Sequence, residues 1–269
     1  MSDFLFSSFV DFGNSAQIVT MIFDDTTDTL YWTDLVKGTM SKAYEPMELD
    51  VRMHKMGWAN WTVLSADIVV SGLYECLTLD IKKQQLHWMT YPDGHSQRAV
   101  RQEGAVSNPV ELSRVPMSES YVIDQRRRYL YTLHRAYGIH RINLDDGHTT
   151  KLTGPLEGRL FKGMTIDEEG ERLFWTQAFL TQIAWFDLKK IQGPFTLINF
   201  ESTDMRLGLG SLLFVPSGWL VWLNMSEDQV CIARAEVDSE TRFCVSTSVD
   251  GLPRRLRGHQ NKALALRRI

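Results

Sequence analysis

A two-strand motif that recurs five times along the 269 residues predicts an all-β fold: a six-bladed β-propeller of four-stranded antiparallel blades. Each copy holds three or four apolar residues, usually an Asp, a short polar turn, and then Leu with an aromatic pair or its equivalent. The Asp-equivalent positions lie 56, 44, 43 and 49 residues apart, close to the roughly 40–50 residues of a four-stranded propeller blade. A third observation is that several copies continue into runs of period-two alternation bounded by polar turns, the pattern of a further strand.

In chain order the first copy runs from Met21-Ile22-Phe23-Asp24 to Leu30-Tyr31-Trp32-Thr33-Asp34, and the second from Leu77-Thr78-Leu79-Asp80 to Leu86-His87-Trp88-Met89-Thr90. The third joins Tyr121-Val122-Ile123-Asp124 to Leu130-Tyr131-Thr132-Leu133-His134. The fourth joins Met164-Thr165-Ile166-Asp167 to Leu173-Phe174-Trp175-Thr176-Gln177, and the fifth joins Leu212-Leu213-Phe214-Val215-Pro216 to Leu220-Val221-Trp222-Leu223-Asn224. Third strands are expected from Gly138, from Gln182 and from Gln229. At the ends, Ala263-Leu264-Ala265-Leu266-Arg267 reads as another first strand and Leu5-Phe6-Ser7-Ser8-Phe9 as another second strand. Joining the N- and C-terminal strands in one blade closes the ring as a single domain, 1–269, and leaves no free sheet edge between first and last blade.

Composition narrows the function. The chain is 43% hydrophobic and 23% charged with a formal net charge of −4, which disfavours a nucleic-acid binder working by phosphate neutralisation. No apolar run approaches the ~20 residues needed to cross a bilayer, so no membrane role is expected. The first residues, Met1-Ser2-Asp3-Phe4-Leu5-Phe6, show neither a basic segment nor a long apolar one, and a cytoplasmic location is the expectation. Cys76, Cys231 and Cys244 are widely spread without a Cys-x-x-Cys pair and are expected as reduced, isolated thiols. The sequons Asn60-Trp61-Thr62 and Asn224-Met225-Ser226 carry no weight in that compartment.

Leu30-Tyr31-Trp32-Thr33-Asp34 contains a complete YWTD signature, and the chain resembles the low-density-lipoprotein-receptor class B, six-bladed YWTD propellers. The resemblance implies a propeller and, as one function, the binding of a peptide or protein partner. The signature's Asp position diverges to Thr90, His134, Gln177 and Asn224, and to Phe9 in the closing blade. Receptors of that family carry flanking cysteine-rich modules, and this sequence has none.

In a propeller the second strand ends on the face from which the next loop enters the inner strand. Asp34, Thr90, His134, Gln177 and Asn224 are therefore expected around the channel mouth, with Ser118, Glu119, Arg159, Lys162, Arg206 and His259 on the entering loops. His134, Gln177, Arg206 and Lys162 are the candidate catalytic residues, as hydrogen-bond donors or, for His134, as a proton carrier. Asp34, Thr90 and Asn224 are expected to contact substrate. Trp32, Trp88, Trp175 and Trp222 share one repeat position and are expected in inter-blade packing; Trp58 and Trp61 lie off that register and are candidates for stacking on an aromatic ligand. No His pair or recurring carboxylate set has metal-ligand spacing, and no Gly-x-Ser-x-Gly elbow, P-loop or dinucleotide-binding motif is present, so neither metal nor cofactor is expected.

Two functions follow. By architecture and compartment the chain is similar to fungal secondary-metabolism propellers that act as cyclases, including hetero-Diels-Alder catalysts. That resemblance implies a cofactor-independent enzyme binding a small apolar or aromatic substrate at the channel mouth. The other is a peptide- or protein-binding module without catalysis.

Overall fold

The computed structural model describes residues 8–11, 18–24, 29–34, 39–43, 48–49, 59–62, 67–71, 74–90, 95–102, 105–106, 110–115, 118–156, 161–177, 182–200, 209–224, 229–236 and 242–246. These residues form strands and turns with no helix. The strands fall into two compact units that divide at Cys76.

In the first unit, β2 (Ile18–Asp24), β3 (Thr29–Asp34), β4 (Thr39–Ala43) and β7 (Asp67–Ser71) make an antiparallel four-stranded sheet in the order β2-β3-β4-β7. A smaller sheet joins β1 (Ser8–Asp11), β6 (Ala59–Thr62) and β5 (Glu48–Leu49). β1 runs parallel to β6, with Val10 opposite Trp61. Ser8 and Phe9 thus lie on a strand, as expected, with β6 as a parallel neighbour. The expected partner, 263–267, lies outside the described residues.

The second unit holds four consecutive sheets. The first contains β8 (Tyr74–Asp80), β9 (Gln85–Thr90), β10 (His95–Gln102), β11 (Ala105–Val106) and β12 (Val110–Arg114), with both β11 and β12 pairing β10. The second is β13 (Ser120–Asp124), β14 (Tyr129–His134), β15 (Gly138–Asn143) and β16 (Thr149–Lys151). The third is β17 (Phe161–Asp167), β18 (Arg172–Gln177), β19 (Gln182–Asp187) and β20 (Gln192–Asn199). The fourth is β21 (Leu209–Val215), β22 (Trp219–Asn224), β23 (Gln229–Arg234) and β24 (Arg242–Ser246). The last three are four-stranded antiparallel meanders.

The repeat's Asp has a local cause. At the end of three first strands its carboxylate accepts the amide three residues on: Lys83 N to Asp80 Oδ1 at 3.2 Å, Arg127 N to Asp124 Oδ1 at 2.8 Å, and Gly170 N to Asp167 Oδ1 at 2.9 Å. This Asx-type bond closes the turn that reverses the chain. The next residue, Gln84, Arg128 or Glu171, takes left-handed φ of 53°, 64° and 53°. In the fifth copy the Asp is absent and the turn is shorter, and Gly218 takes φ of 85° at little steric cost.

Packing explains the strand patterns. β18 is buried along nearly its whole length whereas β20 is mostly exposed, because the inner positions of a sheet are covered on both faces and the outermost strand is not. Tyr131, Leu133 and Ile139 interleave with Met164, Leu173 and Trp175 between the second and third sheets. Phe174 and Ile183 do so with Leu212, Leu220 and Trp222 between the third and fourth. Met89 and Leu112 pack on Tyr121, Ile123 and Leu130 between the first and second. Trp88, Trp175 and Trp222 are fully buried, as their shared register predicts; the side chain of Trp32 lies outside the described residues.

One expectation is overturned. Cys231 and Cys244, read as separate thiols, face each other across β23 and β24 and form a disulfide. Strand register brings together two cysteines that sequence spacing does not pair. Cys76 remains a thiol, with Sγ donating to the Ser118 carbonyl at 3.6 Å.

Candidate functional site

Asp34, Thr90, His134, Gln177 and Asn224 are the last residues of β3, β9, β14, β18 and β22. They occupy one position of the repeat, as expected. Gln177 lies opposite Phe161, Asn224 opposite Leu209, and Asp34 opposite Ile18, each partner at or near the start of a first strand. The second-strand ends and first-strand entries are therefore on the same edge of each sheet. Lys162 and Trp61 likewise lie on strands, β17 and β6, but the side chains of Asp34, Thr90, Lys162 and Trp61 fall outside the described residues, and Trp58, Arg206, Arg159 and His259 lie outside them altogether.

Three of the candidates have described side chains. Gln177 is buried, and its Oε1 accepts from Gln182 Nε2, which makes the amide nitrogen of Gln177 its donor end. Asn224 is half-buried. His134 carries the most definite geometry. Its Nδ1 accepts the Ala136 amide at 3.1 Å, so the neutral ring holds its proton on Nε2. That Nε2 lies 3.9 Å from Glu119 Oε1, beyond direct hydrogen-bond length. Tyr137 stacks on the imidazole at 4.8 Å between centroids.

Glu119 precedes β13 and connects this sheet to the next. Its Oε2 accepts the Phe161 amide at 3.0 Å, and Phe161 is itself paired with Gln177. The Arg135 amide approaches Oε1 at 3.5 Å. Burial pushes the His134 imidazole below its ordinary pKa of 6.5, the Glu119 charge opposes that shift, and Arg135 reinforces it. The ring is consequently neutral at pH 7, a donor through Nε2–H rather than a fixed cation. Glu119 thus ties the second sheet to the third beside His134.

Tyr137 and Arg135 were not legible as site residues, since they sit in the short turn after β14 and belong to no repeat position. Among the described residues no group of three His, Cys, Asp or Glu is placed to hold a metal ion, and no helix is long and apolar enough to cross a membrane.

No protein-family model and no curated protein matches the chain. Solved structures do. A structure of the nidogen/laminin complex aligns with TM-score 0.64 at 15% identity, covering 85% of this chain and 80% of that one. Virginiamycin B lyase from Staphylococcus aureus aligns with TM-score 0.58 at 12% identity, over 86% and 70% of the two chains. The fold is a β-propeller. A gluconolactonase from Xanthomonas campestris agrees, with TM-score 0.58 and 13% identity over 84% and 75%. These propellers include two enzymes and a protein complex, so the fold leaves the function to the site.

Proposed function

We propose that the chain is a cofactor-independent small-molecule enzyme whose chemistry runs at the second-strand face of the propeller, with hetero-Diels-Alder cyclisation of an apolar or aromatic substrate as the reaction. The observation that carries this reading is His134: a half-buried imidazole, kept neutral by burial, with its tautomer set by the Ala136 amide and its Nε2–H on the side of the Glu119 carboxylate. A cycloaddition needs no covalent group from the protein. It needs two reacting partners held in one pose and a donor aimed at the oxygen on which negative charge develops. His134 Nε2–H is that donor, Gln177 supplies a second, the Ala136 amide on Nδ1 orients the ring, and the Glu119 charge offsets the partial positive charge it gains. Arg206 and Lys162 as further donors, Asp34, Thr90 and Asn224 as substrate contacts, and Trp58 and Trp61 as the stacking wall rest on the sequence pattern. So do the six-blade count and ring closure within a single 1–269 domain.

The test is conversion of small molecules from an extract of the producing organism, followed by mass spectrometry, for the wild-type chain and His134→Ala. Loss of conversion in His134→Ala at unchanged melting temperature is the expected result. Wild-type turnover in the variant sinks the assignment.

A second reading is a protein-binding module. It is favoured by exposed Tyr137, which offers an aromatic surface beside His134, and by the protein complex in which one structural neighbour was solved. A co-purifying protein released by Tyr137→Ala, with no small molecule converted, supports it.

A further inference from the structure

The two sulfurs of the Cys231–Cys244 bond live in different surroundings. Cys231 is buried on β23, directly opposite Trp222 and within the apolar cluster that includes Leu212 and Ala233. Cys244 is exposed on β24, next to the exposed Phe243. Among the described residues β24 is the outermost strand of its sheet and pairs with β23 alone. An attacking thiolate therefore reaches one sulfur and not the other.

We propose that Cys244 is a thiol-disulfide exchange site for a low-molecular-weight thiol, and that its bond to Cys231 is a reversible lock on the outermost strand. The thiolate of a first thiol attacks Cys244 Sγ; the Cys231–Cys244 bond breaks and its electron pair leaves on Cys231, which takes up a proton. A second thiol then attacks the mixed disulfide and releases Cys244 as a thiol. The protein gains two electrons and two protons, and the two small thiols become their disulfide.

Two features make the step reversible. The five register pairs from Gln229↔Ser246 to Ala233↔Arg242 hold the cysteines opposite each other without the covalent bond, so the reduced pair stays poised to close again. The closed segment is short, with a sequence separation of 13, so the bond restrains β24 locally rather than the whole chain.

The test uses the full chain under native conditions with reduced glutathione, quenched by iodoacetamide and mapped by peptide mass spectrometry. The expected adduct is glutathione on Cys244 with Cys231 alkylated. Amide exchange across Arg242–Ser246 should rise on the order of a hundredfold on reduction, the factor for opening a loop of this size, while β17–β20 are unchanged. Cys244→Ser, at an exposed position, should show the same exchange without reductant. Three alkylatable cysteines in the untreated protein, an adduct on Cys231, or unchanged exchange in both the reduced protein and Cys244→Ser overturns the proposal.

Discussion

The Glu119 carboxylate spans two sheets: Oε2 accepts the Phe161 amide at 3.0 Å, and Oε1 lies 3.9 Å from His134 Nε2. One side chain thereby sets both the seat of the next first strand and the field around the imidazole. Glu119→Gln keeps the shape and an acceptor oxygen but removes the charge. It should lower the His134 pKa further, because the one influence that raises it is gone. An imidazole titration followed by NMR checks this; an unmoved or raised pKa disproves the coupling.

Stability should depend on pH through two histidines. Burial lowers the pKa of His134, and it lowers that of His140 with help from Lys151 and His134. A group depressed in the folded state binds fewer protons there than in the unfolded chain, so stability is full above the ordinary value of 6.5 and is lost as pH falls through and below it. Melting temperature measured from about pH 7.5 to about pH 5 should fall, and His140→Gln should flatten the slope. An equal slope in that variant excludes His140 as a contributor.

Two ion pairs on the turn side should differ in worth. Asp80 is completely buried; Arg128 Nη1 meets its Oδ1 at 2.6 Å, while its Oδ2 has no hydrogen-bond partner among the described residues. Arg128→Met leaves that carboxylate uncompensated, a loss of about 3–5 kcal/mol. Lys83 pairs with Asp145 where both side chains are nearly half exposed, and Lys83→Met should cost at most ~1 kcal/mol. Urea titrations of the two variants decide it, and comparable losses would refute the burial argument.

Gly147 and Gly218 offer a paired test of close approach. Both have left-handed φ, 76° and 85°. A Cβ on Gly147 would press into the Leu112 carbonyl of the preceding sheet, whereas one on Gly218 would meet only Arg234 Nη1 at 3.7 Å. Gly218→Ala should lose ~1–2 kcal/mol from backbone conformation alone, and Gly147→Ala clearly more. Melting temperatures that drop equally would show that the sheets yield at Leu112.

Much of the architecture was legible because its causes are local. Asp124 and Arg127 are three residues apart and bond to each other, so the turn and the strands beside it leave a mark in the sequence. The aromatic register was legible too, since Trp88, Trp175 and Trp222 meet the same two-sided burial in each sheet. The shared strand-end position of His134 and Gln177 was legible for the same reason. The parallel pairing of β1 with β6 was not legible, because the four residues Ser8–Asp11 carry too little pattern to specify that neighbour.

Repeat period and turn chemistry alone thus specify strands, order and the edge that gathers the second-strand ends, because each depends on residues a few positions apart. The contacts that period and turn chemistry leave open are made by tertiary pairing: Glu119 with Phe161, Arg128 with Asp80, Cys231 with Cys244. Those depend on how sheets stack and which strand edges align, and a side chain's charge state or oxidation state follows from the neighbours that stacking supplies.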